Sequence, residues 1–233
     1  MKYVASFADR VLPWLTCVLM IIALAFVFLY VPNERIQGPA QRIFYFHLPA
    51  AWNTFLGFFV VAGASAAFLW QGDRFSDLLA QASAEVGMVF CTLVIITGSI
   101  WARPIWGVWW TWDPRLTTTA VLLLIYIGYL AVRRITDNPS RRATWAAVVG
   151  IVGFIDVPIV HLSVVWWRSL HQGSTVFRLG GPEIEGTMLV ALLVGVAAFT
   201  VTYAYLMTLR LRVGRLEERA AREALSPLVG AER

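Results

Sequence analysis

The longest uncharged stretches of this chain are too apolar and too long for a soluble fold. From Val11 to Asn33 none of 23 residues is charged, and from Leu48 to Gly72 none of 25 is. Followed along the chain, the same pattern gives six apolar runs, at roughly 12–30, 48–70, 79–100, 116–132, 143–165 and 187–209. A helix crosses hydrocarbon in about 17–25 residues, so each run is expected to be a transmembrane span. The expected fold class is an all-α integral membrane protein. Its six transmembrane helices form one bundle over residues 1–233, with a short charged cytoplasmic tail over 210–233. The first run is longer than the roughly 7–15 apolar residues of a signal-peptide core. It leads into Val31-Pro32-Asn33 rather than a small-residue cleavage site, so it is expected to remain as a span.

With six spans, the termini and the 71–78 and 133–142 loops share one side of the membrane. That side holds 13 of the 19 lysines and arginines, and the other side holds six. Positive residues stay inside, so both termini are expected in the cytoplasm. The +5 net charge is then accounted for by this bias and by anionic lipid headgroups, with no need of nucleic acid. Cys17 and Cys91 fall in separate spans and form no C-x-x-C-H pair, so both are expected to be buried structural thiols. Neither a Walker A motif nor a GxGxxG fingerprint is present, and nothing points to nucleotide hydrolysis.

Between the third and fourth runs lies WARPIWGVWWTWDPRLT, Trp101 to Thr117, which holds five of the chain's 11 tryptophans. An interfacial aromatic belt needs one or two per helix end. This cluster exceeds that and suggests a platform for something flat and apolar, with Gly107 allowing close backbone approach. In a helix Trp106, Trp110 and Asp113 would share a face with Trp109 beside them; in an extended chain Trp106, Trp110 and Trp112 would align. Asp113 before Pro114 also fits the N-cap of the fourth span.

Span parity places two histidines on the same outer face. His47 lies in RIFYFHLPAAW, Arg42 to Trp52, where Pro49 suits the first turn of the second span; His171 lies beside Gly173 in the loop before the sixth. The third histidine, His161, lies in the fifth span with Asp156 and Pro158, and Pro158 is expected to kink that helix. Asp156 is expected to bond an adjacent helix, and Glu85 in the third span to snorkel or find a neighbour. Haem iron takes two axial ligands along one line, and imidazoles from separate segments can approach it from opposite faces. Arg42, Arg103, Arg115, Arg168 and Arg178 share that side as candidate propionate partners. Two histidines without thiols or carboxylates nearby make a poor zinc site.

These segments resemble the CcmC family, the haem-handling membrane proteins of the multi-component (system I) cytochrome c maturation machinery. WGVWWTWDPRLT is similar to that family's tryptophan-rich WWD motif, RIFYFHLPAAW to its first histidine segment and HQGST to its second. The resemblance spans all six runs. It implies that haem b is bound on the periplasmic face of the bacterial inner membrane, with His47 and His171 as axial ligands. Trp101, Trp106, Trp109, Trp110, Trp112 and Asp113 would then cup the ring. It further implies transfer to a periplasmic haem chaperone (CcmE-like), in company with ABC transporter subunits (CcmAB-like) and a small membrane protein (CcmD-like). The chain would be a haem-transfer factor rather than a conventional enzyme.

The alternatives are a haem or solute permease, which needs polar residues along a path, and a membrane redox protein, which needs histidines deep in facing helices. Glu85, Asp156 and His161 are too scattered for the first, and only His161 is even partly buried for the second. The topology is testable with reporter fusions after Arg35 and after Asp137, which should report opposite sides of the membrane. Both on one side would overturn the six-span arrangement.

Overall fold

Six helical stretches long and apolar enough to cross a membrane run through the protein: Asp9–Tyr30, Pro39–Gln71, Arg74–Trp106, Pro114–Val132, Pro139–Trp166 and Gly186–Ala224. They make it a multi-pass membrane protein. The structure is a computed structural model that describes residues 7–135, 137–171, 173, 176, 181 and 183–230, and among these no strand occurs. Gln172, Ser174 and Thr175 of the second histidine motif, Arg178, and the terminal Lys2 and Arg233 lie outside the described residues.

The helices are α1 (Phe7–Ala25), α2 (Phe44–Gln71), α3 (Arg74–Trp106), α4 (Pro114–Val132), α5 (Pro139–Gly153), α6 (Asp156–Trp166) and α7 (Gly186–Gly230). A π-helical turn, Phe26–Tyr30, extends α1, and a 3₁₀ turn, Pro39–Ile43, leads into α2. Asp73 caps α3 by accepting the Ser76 amide at 2.9 Å; Ser76, through its side chain first and its amide second, holds the Asp73 carboxyl below its ordinary value. Asn138 caps α5 by accepting the amides of Ser140 and Arg141, both at 3.1 Å. The fifth span is two helices, because its ladder breaks at Phe154–Ile155. Pro158 has no N–H to return to the carbonyl of Phe154, and Val157 bonds that carbonyl instead, at 3.1 Å. The expected kink is therefore a full interruption. Asp156 falls in the first turn of α6, where the helix N-terminus favours a carboxylate. Its Oδ2 is buried without a hydrogen-bond partner among the described residues, so the expected bond to a neighbouring helix is not found.

The α2–α3 hairpin forms the centre, and small residues let its two backbones meet. A Cβ on Gly57 would lie 3.1 Å from the Gly87 Cα, and one on Gly87 would collide with the Tyr126 ring of α4. Tyr126 donates to the carbonyl of Thr54 at 2.7 Å, and Ser83 donates to that of Gly57 at 2.7 Å, so the polar groups in this contact are paired. Around the hairpin, α5 packs on α2 and α4, α6 packs on α4, and α7 packs on α1, α2 and α3.

Several arginines on the side with the larger positive count are committed to ion pairs. Arg133 is buried and bidentate on Asp77, at 2.7 and 2.9 Å, with Gln81 at 3.1 Å. Arg210 of α7 pairs with Glu85 of α3, Arg212 with Asp9, and Arg74 with Glu218 at 2.8 Å. Glu85 thus has the neighbouring-helix partner expected of it. Cys91 is buried as expected, whereas Cys17 is exposed on α1, the least buried of the spans.

Removing one member of a buried pair strands the other charge, at a cost of about 3–5 kcal/mol. Asp77→Ala should lower unfolding stability in detergent by about that amount. The double change Asp77→Leu with Arg133→Met should recover most of it, read as tryptophan fluorescence against denaturant.

Candidate functional site

Where the chain joins α1 to α2, α3 to α4 and α6 to α7, the helices part around a cavity of about 730 Å³ lined by all five of α2, α3, α4, α6 and α7. The lining is mainly apolar and the volume is that of small-molecule and cofactor pockets, about 300–1,000 Å³. All three histidines reach it.

His47 sits in the first turn of α2. The helix begins at Phe44, five residues before Pro49, because the 3₁₀ turn from Pro39 already winds the chain. Pro49 therefore lies inside the helix rather than opening it, and His47, at the start of the second span as expected, is buried against α3. Its Nδ1 lies 3.0 Å from the Thr97 hydroxyl, and its ring meets the edge of Trp101 at a centroid distance of 5.8 Å. A Cβ on Gly98 would come within 3.1 Å of the His47 Cε1. Trp101 is held in turn by its Nε1, which donates to Gln37 at 3.1 Å.

His171 approaches from the segment after α6 and packs edge-to-face against Trp106, with ring centroids 6.1 Å apart. Its position depends on Asp113. That carboxylate is 7% exposed and accepts from the Arg115 amide at 3.0 Å, the Ser169 hydroxyl at 2.8 Å and the Leu170 amide at 2.7 Å. The His171 amide then donates to the Ser169 oxygen at 3.0 Å. One carboxylate therefore caps α4 and ties the His171 segment to it. Asp113 does not itself line the cavity.

The tryptophan stretch is neither all helix nor all extended. α3 continues through Trp106 and stops at Gly107, whose φ of +78° suits a helix C-cap without a Cβ. No described residue crowds a Cβ there, and Gly107 is not among the residues that line the cavity; its positive φ serves the turn. Trp101 and Trp106 on α3, with Trp110 beyond the turn, line the cavity. Trp109 and Trp112 do not, and are 58% and 81% exposed. Trp112 meets Trp110 edge-on at 5.8 Å, standing behind the lining rather than in it.

Among the described residues Arg115 is the cation that lines the cavity. Its Nη2 donates to the carbonyl of His161 at 2.9 Å, and its buried Nε has no hydrogen-bond partner among the described residues. An orphaned guanidinium donor beside an apolar volume suits an anionic group on a ligand. Arg103 donates to the Gly107 carbonyl, Arg42 lies over the Phe28 ring at 5.6 Å, and Arg168 is exposed, all outside the lining. Thr97, Gly98, Gln37 and Ser169 were missed in the sequence because a lone hydroxyl, amide or glycine in an apolar helix or loop has no spacing signature.

A family profile described as Heme exporter protein C matches residues 1–226. The chain is 40% identical over 233 residues to the Heme exporter protein C of Bradyrhizobium diazoefficiens, covering 95% of this chain and 88% of the relative. It is 34% identical to the Escherichia coli K12 protein of the same name, over 86% of this chain and 82% of the relative. A Marchantia polymorpha protein described as a putative cytochrome c biosynthesis ccmC-like mitochondrial protein is 34% identical, over 72% of this chain and 71% of the relative.

The Asp113 arrangement predicts a measurable local loosening. A hydrogen bond to a charged acceptor contributes about 1.5–3 kcal/mol. Asp113→Ala should therefore speed hydrogen exchange at the Leu170 amide by roughly ten- to a hundred-fold. Asp113→Asn, which keeps an acceptor oxygen and most of the capping ability, should fall between the two.

Proposed function

The chain belongs to the Heme exporter protein C (CcmC) family, and from that membership we propose that it holds haem b between His47 and His171 and passes it on for c-type cytochrome biogenesis. The observation that carries this reading is one cavity lined by two imidazoles on different elements, each flanked by a tryptophan of α3, and by an arginine whose buried Nε has no partner among the described residues. Iron in a porphyrin takes ligands from both faces, and imidazole is a common one. His47 arrives on a helix and His171 on a tethered loop, so one ligand is rigid and the other can move with its segment. Trp101, Trp106 and Trp110 supply flat apolar surface, and Arg115 is the partner offered to a propionate.

In this reading the inner-membrane protein presents this end of the bundle to the periplasm, and the charge bias between its two sides supports that orientation. Trp109 and Trp112 are exposed outside the cavity lining, and uncovered large aromatic groups suit a docking partner. The receiver in this reading is a periplasmic haem chaperone of the CcmE type, working with CcmAB-like transporter subunits and a CcmD-like small membrane protein. The protein acts by binding, orienting and presenting the cargo rather than by turning over a substrate.

His47→Ala and His171→Ala should each remove or displace the haem absorption of the purified protein, while His161→Ala should keep the axial signature. An aromatic contact contributes about 0.5–1.5 kcal/mol beyond burial, so Trp106→Ala or Trp110→Ala should weaken haem retention by roughly two- to ten-fold. Trp109→Ala with Trp112→Ala should spare binding more than it spares transfer. Wild-type protein that keeps all its haem when mixed with the chaperone and transporter would end the hand-off reading.

A further inference from the structure

We infer that Thr97 is a positioning residue for the bound haem: it fixes His47 in the tautomer that carries its proton on Nδ1, which leaves the Nε2 lone pair for the iron. The inference rests on the reading of His47 as an axial ligand and adds the device that makes it one.

The argument starts from the proton count at one hydroxyl. Thr97 lies on α3 one turn before Trp101, on the face that meets α2. Its hydroxyl makes a back-bond to the Leu93 carbonyl at 2.6 Å, with the Val94 carbonyl at 3.4 Å. Such i−4 bonds satisfy Thr in apolar helices. A threonine hydroxyl has one proton to donate, and that proton is committed to Leu93. The 3.0 Å contact with His47 must then be filled by hydrogen from the imidazole, so Nδ1–H donates and the Thr97 oxygen accepts. A neutral imidazole with its proton on Nδ1 has its free lone pair on Nε2. The opposite tautomer would set the Nδ1 lone pair against the Thr97 oxygen and offer N–H to a metal.

Two neighbours on the same helix complete the fit. Gly98 leaves room under the ring, since a Cβ there would reach 3.1 Å from Cε1 and 3.7 Å from Nδ1. Trp101 bounds the ring edge-on at 5.8 Å. Three positions of α3 therefore fix the tautomer, the height and the tilt of an imidazole that belongs to α2. A hydrogen bond at the far nitrogen of a ligating histidine also raises its basicity toward the metal.

The test uses the full chain in detergent, loaded with haem. Thr97→Val is near-isosteric and removes the hydroxyl, both the acceptor for His47 and the donor to the Leu93 carbonyl; Thr97→Ser keeps both. Two quantities are read, the rate of haem loss to a soluble apoprotein scavenger and the reduction potential of the bound haem. Thr97→Val should release haem about ten- to a hundred-fold faster, the usual effect of losing an outer partner of a metal ligand. Its potential should rise, because a less basic imidazole stabilises ferric iron less, and Thr97→Ser should return both values to wild type. Thr97→Ala, read the same way, guards against a packing failure of valine. Unchanged release and potential in both apolar variants would overturn the inference, as would a serine variant that behaves like valine. His47→Ala separates this from the ligand reading. If it leaves the axial signature intact, His47 is not a ligand; if it removes that signature while Thr97→Val does nothing, only the positioning role falls.

Discussion

Hydrocarbon offers a peptide group no hydrogen-bond partner, and that constraint underlies the rest of this structure. Every span must satisfy its own backbone, which a helix does and an open strand cannot. Departures from the α-helical ladder are made good locally. At the end of α1 the amide of Val31 reaches back to Phe26 at 3.0 Å through the π turn. At the break between α5 and α6, the amides of Phe154, Ile155 and Val157 bond the carbonyls of Ile151, Val152 and Phe154 at 3.3, 3.2 and 3.1 Å. The break thus keeps the amides of Phe154, Ile155 and Val157 hydrogen-bonded although the i to i−4 ladder is interrupted.

Since lipid tails are as apolar as leucine, burial alone does not press such helices together; close packing and interhelical hydrogen bonds do. Both concentrate on the α2–α3 hairpin. Gly57 and Gly87 bring the two backbones into contact, and tyrosines from α4 and α7 close over them. Tyr126 bonds the Thr54 carbonyl, and Tyr203 meets the Ser83 hydroxyl at 2.7 Å. With this centre fixed, α6 leans on α4 while α7 leans on the other side of the hairpin, and the cavity is the volume between them. The same hairpin brings the Thr97 side of α3 against His47.

The site joins two kinds of support. His47 is held by a helix face and shares its rigidity. His171 is held through a short relay, Asp113 to Ser169 to the backbone, that crosses from the start of α4 to the segment after α6. A relay of few bonds can be broken and remade with the chain around it, whereas a packed helix cannot. In the proposed reading, a carrier that both holds and surrenders a flat cargo needs one of each.

The six spans, the aromatic cluster, the capping role of Asp113 and the gathering of His47 and His171 at one end of the bundle were all legible in the amino-acid order. Each depends on a quantity that is local or a matter of parity: run length, tryptophan density, a residue before proline, an odd or even number of crossings. The stopping point of α3 was not legible, because Gly107 could equally mark a close approach or a turn, and only its positive φ decides. Nor was the division of the tryptophans, which turns on the few residues between Trp106 and Pro114 leaving the helix and swinging Trp109 and Trp112 outward. The arginine that enters the cavity and the partners that hold the histidines lie between elements far apart in the chain. Hydropathy and spacing are sums along the sequence, so they determined how many helices cross and which ends meet. Which side chains face one another across the gap depends on how the helices rotate and tilt as they pack, and that was decided only by the tertiary structure.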